Sequence, residues 1–202
     1  MKIIGVGRNY VEHAKELGNE VPSEPVLFLM PDSAILRKND AFYYPSFSED
    51  VHHELELVVK ICRVGKNIQQ KFAYKYYEEI GLGIDFTARD LQSQAKKKGL
   101  PWSIAKGFNG SLPISFFRPE QDYDLGDIDL VLKKNRETVQ HGNTKDMLFS
   151  IDQIIEYCSK FFTLKKGDLI YTGTPSGVGP VQIGDRLEGF LNDEKLLDFE
   201  VR

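Results

Sequence analysis

The sequence has little cysteine: two residues, Cys62 and Cys158, in a chain of 202. They lie far apart, with no CxxC spacing and no histidine pattern around them. This excludes a zinc–thiolate centre and leaves two reduced packing residues. Long hydrophobic runs are also missing. No stretch approaches the ~20 apolar residues that a membrane span requires. The opening MKIIGVGRN offers only a few apolar residues before Arg8, so a secretory leader is not expected and the cytoplasm is the expected compartment. There is no excess of positive charge either: 26 Lys and Arg stand against 30 Asp and Glu, a formal net charge of −4. Nucleic-acid binders concentrate cations on one face, and here the one basic run is Lys96-Lys97-Lys98. It falls in the last turn of an expected helix, before Gly99 and Pro101, where cations complement the helix dipole and glycine caps the end. Neither a nucleic acid nor a membrane is an expected partner.

Hydrophobic residues make up 41% and charged residues 28% of the chain, which is ordinary globular usage. A chain of this length buries about 70% of its unfolded surface. With no repeat, low-complexity tract or linker, one domain over residues 1–202 is expected. Strand-like runs dominate, over 2–6, 26–29, 52–61, 81–86, 112–116, 128–132, 168–171, 185–191 and 196–201. Turn signals such as Gly126-Asp127 and Ile183-Gly184-Asp185 separate several of them. Helical patterns cover 9–17, 90–98 with Thr87 as N-cap, and 151–161, where Ser150 and Gln153 form a capping box. The fold class is mainly β with peripheral helices.

In His52-His53-Glu54-Leu55-Glu56-Leu57-Val58-Val59, strand alternation puts Glu54 and Glu56 on one face and Leu55, Leu57 and Val59 on the other. Their Cα atoms would lie about 7 Å apart, within reach of one cation; a solvated strand edge is the plain alternative. Asp85 ends an apolar run that leads into a helix. Three carboxylates without a thiolate would make a hard-oxygen site, suited to Mg²⁺ or Mn²⁺. His13 and Glu16 share a helix face, so the carboxylate can orient the imidazole as a general base. Lys106 is a cation inside an otherwise apolar segment, and buried lysine is rare unless paired. In Thr172-Gly173-Thr174-Pro175-Ser176-Gly177-Val178-Gly179, glycines after a strand permit close backbone approach to a carboxylate. No Gly-Lys-Ser/Thr follows, which excludes a Walker A loop. Gly5-Val6-Gly7 carries Tyr10 where a dinucleotide fingerprint needs its third glycine.

Five segments in register resemble the fumarylacetoacetate hydrolase family over essentially the whole chain: Gly7-Arg8-Asn9-Tyr10 with His13 and Glu16; His53 to Leu57; Asp85 to Gln92; Lys97 to Lys106; and Thr172 to Gly179. The likeness is to its short, single-domain acylpyruvate hydrolase and oxaloacetate decarboxylase branch. It implies a rolled mixed β-sheet, a homodimer, and Mg²⁺ or Mn²⁺ held by Glu54, Glu56 and Asp85. It further implies a lid helix over residues 9–18 carrying His13 and Glu16 as catalytic residues, with Lys106 facing the substrate. Arg8, Thr172, Gly173 and Thr174 would bind the substrate, a small 2-keto acid. One position departs from the family pattern: Phe28-Leu29-Met30-Pro31 places Met30 where a lysine is usual, which implies weaker handling of dianionic substrates.

The activity implied is metal-dependent cleavage of a C–C bond in 2,4-diketo acids, with decarboxylation of oxaloacetate as a second outlet for the same pyruvate enolate. Two other readings stand beside it: isomerisation of a 2-hydroxyhepta-2,4-diene-1,7-dioate-type substrate, and a metal-binding relative with little turnover.

Overall fold

The computed structural model describes residues 1–12 and 21–202. His13, Glu16 and most of the helix expected over 9–17 lie outside the described residues; of that helix, residues 11–12 are helical.

At the centre is a six-stranded mixed sheet in the order Val26–Met30, Ile3–Gly7, Leu169–Tyr171, Leu55–Ile61, Tyr77–Ile84 and Arg118–Pro119. Ile3–Gly7 and Leu169–Tyr171 are parallel, and the other neighbours are antiparallel. A sheet covered on both faces reads as near-continuous apolar sequence, and Leu55–Ile61 is buried except at Lys60. Ile4, Val6, Leu57, Val59, Leu82 and Ile170 point into the main core. An antiparallel sheet supplies the opposing layer, in the order Glu137–Asn143, Asp129–Lys134, Arg186–Leu191 and Glu194–Glu200, through Leu130, Leu132, Leu187 and Phe199. Ile3, Met30, Val58, Leu169 and Tyr171 lie on the other face of the six-stranded sheet, in a smaller apolar cluster. Further along that face the side chains become acidic.

The strand expected over 52–61 is two strands. Val51–His53 pairs with Gly179–Pro180 and Thr87–Ala88, whereas Leu55–Ile61 belongs to the six-stranded sheet. Glu54 lies at the switch. The Asp85 amide donates to the Glu54 carbonyl at 2.8 Å and carries the antiparallel pairing past the switch in register, while on the other side, between Leu169–Tyr171 and Gly179–Pro180, the Leu55 amide donates to the Gln140 side chain at 2.9 Å in place of a strand. The strand Glu137–Asn143 was not expected from the sequence. It closes a hairpin through Asn135 and Arg136, whose φ of 53° and 73° make the two-residue left-handed loop that hairpins favour. The run expected over 112–116 shortens to Leu112–Pro113.

The described helices include Arg89–Lys98, Ser103–Lys106 and Ile151–Phe161. In the last, the capping box is present: the Ser150 amide donates to Gln153 Oε1 at 2.8 Å and the Gln153 amide to Ser150 Oγ at 3.4 Å. Its Ile151, Ile154, Ile155 and Cys158 face the core. Thr87, expected as a cap, does not cap Arg89–Lys98. Ala88 takes the N-cap place, and the Thr87 hydroxyl donates to the Asp85 carbonyl at 3.2 Å. The fold is mainly β with peripheral helices, and no sheet among the described residues closes into a barrel. No described helix is long and apolar enough to cross a membrane.

Candidate active site

Glu54, Glu56 and Asp85 converge: one ligand oxygen from each lies within 4.8 Å of the others, and all three residues are buried. The register accounts for this. Glu56 pairs with Gly83 across the sheet, so Asp85, two residues on, rises on the same face, while Glu54 arrives from the strand break. Gly173 fixes Glu56 by donating its amide to Oε2 at 2.7 Å. It does so with φ of +100°, and a Cβ there would lie 2.7 Å from that of Asn9, so a side chain is excluded twice over.

Two cations face the carboxylates. The Lys106 ammonium, 3% exposed, donates to Glu54 Oε2 at 2.8 Å and Asp85 Oδ2 at 2.7 Å. The Arg89 guanidinium donates to Glu54 Oε1 at 2.6 Å and to Gln92 Oε1 at 2.7 Å. Three carboxylates against two cations leave one negative charge over. Asp85 Oδ1 is buried and has no hydrogen-bond partner among the described residues. An acidic surplus and an unpaired carboxylate oxygen, in an all-oxygen donor set, fit a hard divalent cation.

Titration behaviour agrees with that donor set. Burial, reinforced by the Glu54 charge and opposed by Lys106, pushes the Asp85 carboxyl up to about 6. Burial, then the Asp85 charge, holds Glu56 well above the usual carboxylate range. Burial works against the Lys106 ammonium, but Asp85 and Glu54 outweigh it and raise its pKa. Carboxyls with raised folded-state values stabilise the fold fully only below their unfolded values near 4, and that contribution is lost as pH rises through about 6. A bound cation removes the need for protons. The melting temperature of Mg²⁺-saturated protein should therefore exceed that of chelator-treated protein by a margin that widens from about pH 5 to about pH 7.5. Melting curves on a pH series check this, and a constant margin would count against the donor set.

The cleft over the carboxylates is narrow, with a cavity volume of about 30 Å³. Arg8 and Thr174 line it, together with Phe28, Gln92, Lys96 and Trp102. Lys96, Lys97 and Lys98 occupy the last turn of Arg89–Lys98 and Gly99 caps it in the left-handed conformation, as expected; the exposed Lys96 in addition places its ammonium 5.4 Å from the Trp102 ring centroid at the cleft rim. Thr172 does not line the cleft, since its hydroxyl is committed to the Leu57 carbonyl at 2.9 Å. Gly173 serves Glu56. Met30 is also absent from the lining. It is 4% exposed and packs with Ile3, Val58 and Leu169, so the cations of the cleft come from elsewhere. Sequence reasoning passed over Arg89 and Gln92, although their spacing of three at the start of the helix after Asp85 was a usable signal. It also missed Gln140. Gln140 Oε1 accepts from the Leu55 amide and lies 3.1 Å from His53 Nδ1, while Nε2 donates to Thr174 Oγ1 at 2.9 Å and to the Pro175 carbonyl at 3.1 Å.

The architecture and the sequence have clear relatives. Residues 2–201 match the family model described as Fumarylacetoacetate (FAA) hydrolase C-terminal. The oxaloacetate decarboxylase, mitochondrial, of Dictyostelium discoideum is 47% identical over 185 residues, which span 91% of this chain and 85% of that protein. The oxaloacetate tautomerase FAHD1, mitochondrial, of Mus musculus is 44% identical over 201 residues, 99% of this chain and 91% of that one. Among solved structures, fumarylpyruvate hydrolase from Pseudomonas aeruginosa, in complex with Mn²⁺ and pyruvate, superposes with a TM-score of 0.95 at 33% identity, covering all of this chain and 89% of the other. With a family model spanning nearly every residue and enzymes of this kind similar over almost its full length, the chain belongs to the fumarylacetoacetate hydrolase family.

Proposed function

We propose that this chain is a divalent-cation-dependent enzyme of short 2-keto acids, generating a pyruvate-type enolate from oxaloacetate and from 2,4-diketo acids. The observation that carries the reading is the buried Glu54, Glu56 and Asp85 cluster beneath a wall of Arg8, Arg89, Lys96 and Lys106. Glu54, Glu56 and Asp85 would hold Mg²⁺ or Mn²⁺, whose charge stabilises developing negative charge on a carbonyl oxygen. The wall suits a substrate with a carboxylate at each end. Arg89, fixed by Glu54 and Gln92, offers its guanidinium edge to one carboxylate, and Arg8 with Lys96 meets the other at the rim. These cations supply the charge that Met30 does not, so oxaloacetate is expected to be handled well.

Lys106 is the candidate electrostatic catalyst. Its ammonium is held rigidly by two carboxylates and placed where an oxyanion would form beside them. Phe28 and Trp102, with ring centroids 5.9 Å apart, wall the cleft and limit water. His13 and Glu16 are proposed as the base that activates water for hydrolysis; decarboxylation needs no such water.

The test is a substrate panel with Mg²⁺ and Mn²⁺, covering oxaloacetate, acetylpyruvate, fumarylpyruvate and a 2-hydroxyhepta-2,4-diene-1,7-dioate, with products identified. Cleavage or loss of CO₂ yields two fragments; isomerisation yields one. His13→Ala is expected to lower hydrolysis about 10²–10⁴-fold and decarboxylation much less. No cation-dependent turnover of any 2-keto acid would refute the reading.

A further inference from the structure

Tyr171 ends the strand Leu169–Tyr171 and is fully buried, yet its hydroxyl has no hydrogen-bond partner among the described residues. Most buried phenols find one, and an unpaired buried hydroxyl is costly enough to call for an explanation. Its position supplies one. Tyr171 pairs with Val58, which pairs with Gly81, so its ring crosses Leu55–Ile61 on the face that carries Glu56. It reaches Gly83. A Cβ at Gly83 would lie 2.5 Å from the ring Cε1 and 2.8 Å from the hydroxyl oxygen. Gly83 is the cross-strand partner of Glu56 and lies two residues before Asp85. The hydroxyl thus lies over the gap that a missing side chain leaves between two of the three clustered carboxylates. Asp85 Oδ1, itself buried and without a partner among the described residues, belongs to one of them. Two unpaired buried polar atoms, both on residues that flank Gly83 on one face of the sheet, mark a place for an oxygen-bearing ligand.

We propose that Tyr171 is a positioning residue of this site: its hydroxyl donates a hydrogen bond to an oxygen atom lodged beside Glu56 and Asp85, from water at rest and from the keto-acid group when substrate is bound. Glycine at 83 is what admits the ring. The proposal rests on the functional reading above, namely that the cluster receives a cation and an oxygen-rich anion.

The test uses Tyr171→Phe, which keeps the ring and removes only the hydroxyl. Oxalate binding to the Mn²⁺-saturated protein is measured by calorimetry and is expected to weaken about tenfold, the effect of one hydrogen bond to a charged group. The melting temperature of the metal-free protein is expected to stay level or rise, because no hydrogen bond of the fold is lost. Gly83→Ala, which displaces the hydroxyl without deleting it, is expected to weaken oxalate binding similarly. Unchanged oxalate affinity in Tyr171→Phe overturns the proposal. So does a lower metal-free melting temperature, which would assign the hydroxyl to the fold. If the wild-type protein binds no Mn²⁺, or binds Mn²⁺ but no oxalate, the site reading fails and takes this proposal with it. That result is seen without any variant, so the two failures are distinguishable.

Discussion

Replacing Glu56 by glutamine is expected to weaken Mn²⁺ binding at least about 100-fold and to lower turnover of oxaloacetate by roughly 10³-fold. The first figure is the upper end of what losing a mere supporting partner of a metal ligand costs. The second follows from forfeiting several kcal/mol of charge stabilisation at about 1.4 kcal/mol per decade. The substitution is gentle on the fold. A glutamine carbonyl can still accept the Gly173 amide that now bonds Glu56 Oε2 at 2.7 Å, and removing a buried charge that Asp85 and Glu54 repel relieves the cluster. The metal-free variant should melt no lower than the wild type. Calorimetric titration with Mn²⁺ and a steady-state assay decide the matter; wild-type affinity in Glu56→Gln would take the cation away from this cluster.

Lys106→Met separates electrostatic catalysis from cation binding, because it deletes the ammonium and keeps an unbranched chain of comparable reach. Turnover is expected to drop about 10²–10³-fold, the effect of losing one preorganised donor to a developing oxyanion. Mn²⁺ affinity should rise, since Glu54 and Asp85 lose the partner that now bonds them at 2.8 and 2.7 Å. The metal-free protein should suffer, as removing one side of a buried ion pair costs about 3–5 kcal/mol. For a chain of this length that is a fall in melting temperature of roughly 6–20 °C. Saturating Mn²⁺ should restore much of it. Loss of activity with weaker metal binding would instead make Lys106 a structural clamp for the carboxylates.

Several parts of this site were legible in the linear sequence, because local periodicity encodes them. Alternation around Leu55 and Leu57 put Glu54 and Glu56 together, and Ser150 with Gln153 announced a helix start that the structure shows in full. What stayed hidden depends on partners distant in sequence. The break at Glu54 exists because Gln140, 85 residues away from Leu55, takes the amide a neighbouring strand would have used. Gln140 itself sits in a strand whose Gln-His-Gly-Asn stretch shows no apolar alternation, since its buried polar face serves the site and not a core. Lys96 lies in the last helical turn as its position announced, but its place at the cleft rim stayed hidden because Trp102 comes to it only through the turn after Gly99. Tyr171 read as one more apolar strand residue, and only the absent side chain at Gly83, on a strand that is not its neighbour, gives its hydroxyl somewhere to go.

The four contacts of Gln140 also set how the two halves of the site can move. Its carbonyl oxygen serves the strand break that carries Glu54, and its amide nitrogen serves the loop that carries Thr174. One planar group therefore works as a tie rod: if the break shifts, the amide plane must tilt, and Thr174 is carried with it. With its oxygen accepting from the Leu55 amide, His53 bonds the same oxygen only as the tautomer protonated on Nδ1, so the rod is also locked in rotation. Thermal drift on one side of the cleft is thereby made common to both, and the spacing between Glu54 and Thr174 is kept even where their absolute positions are not.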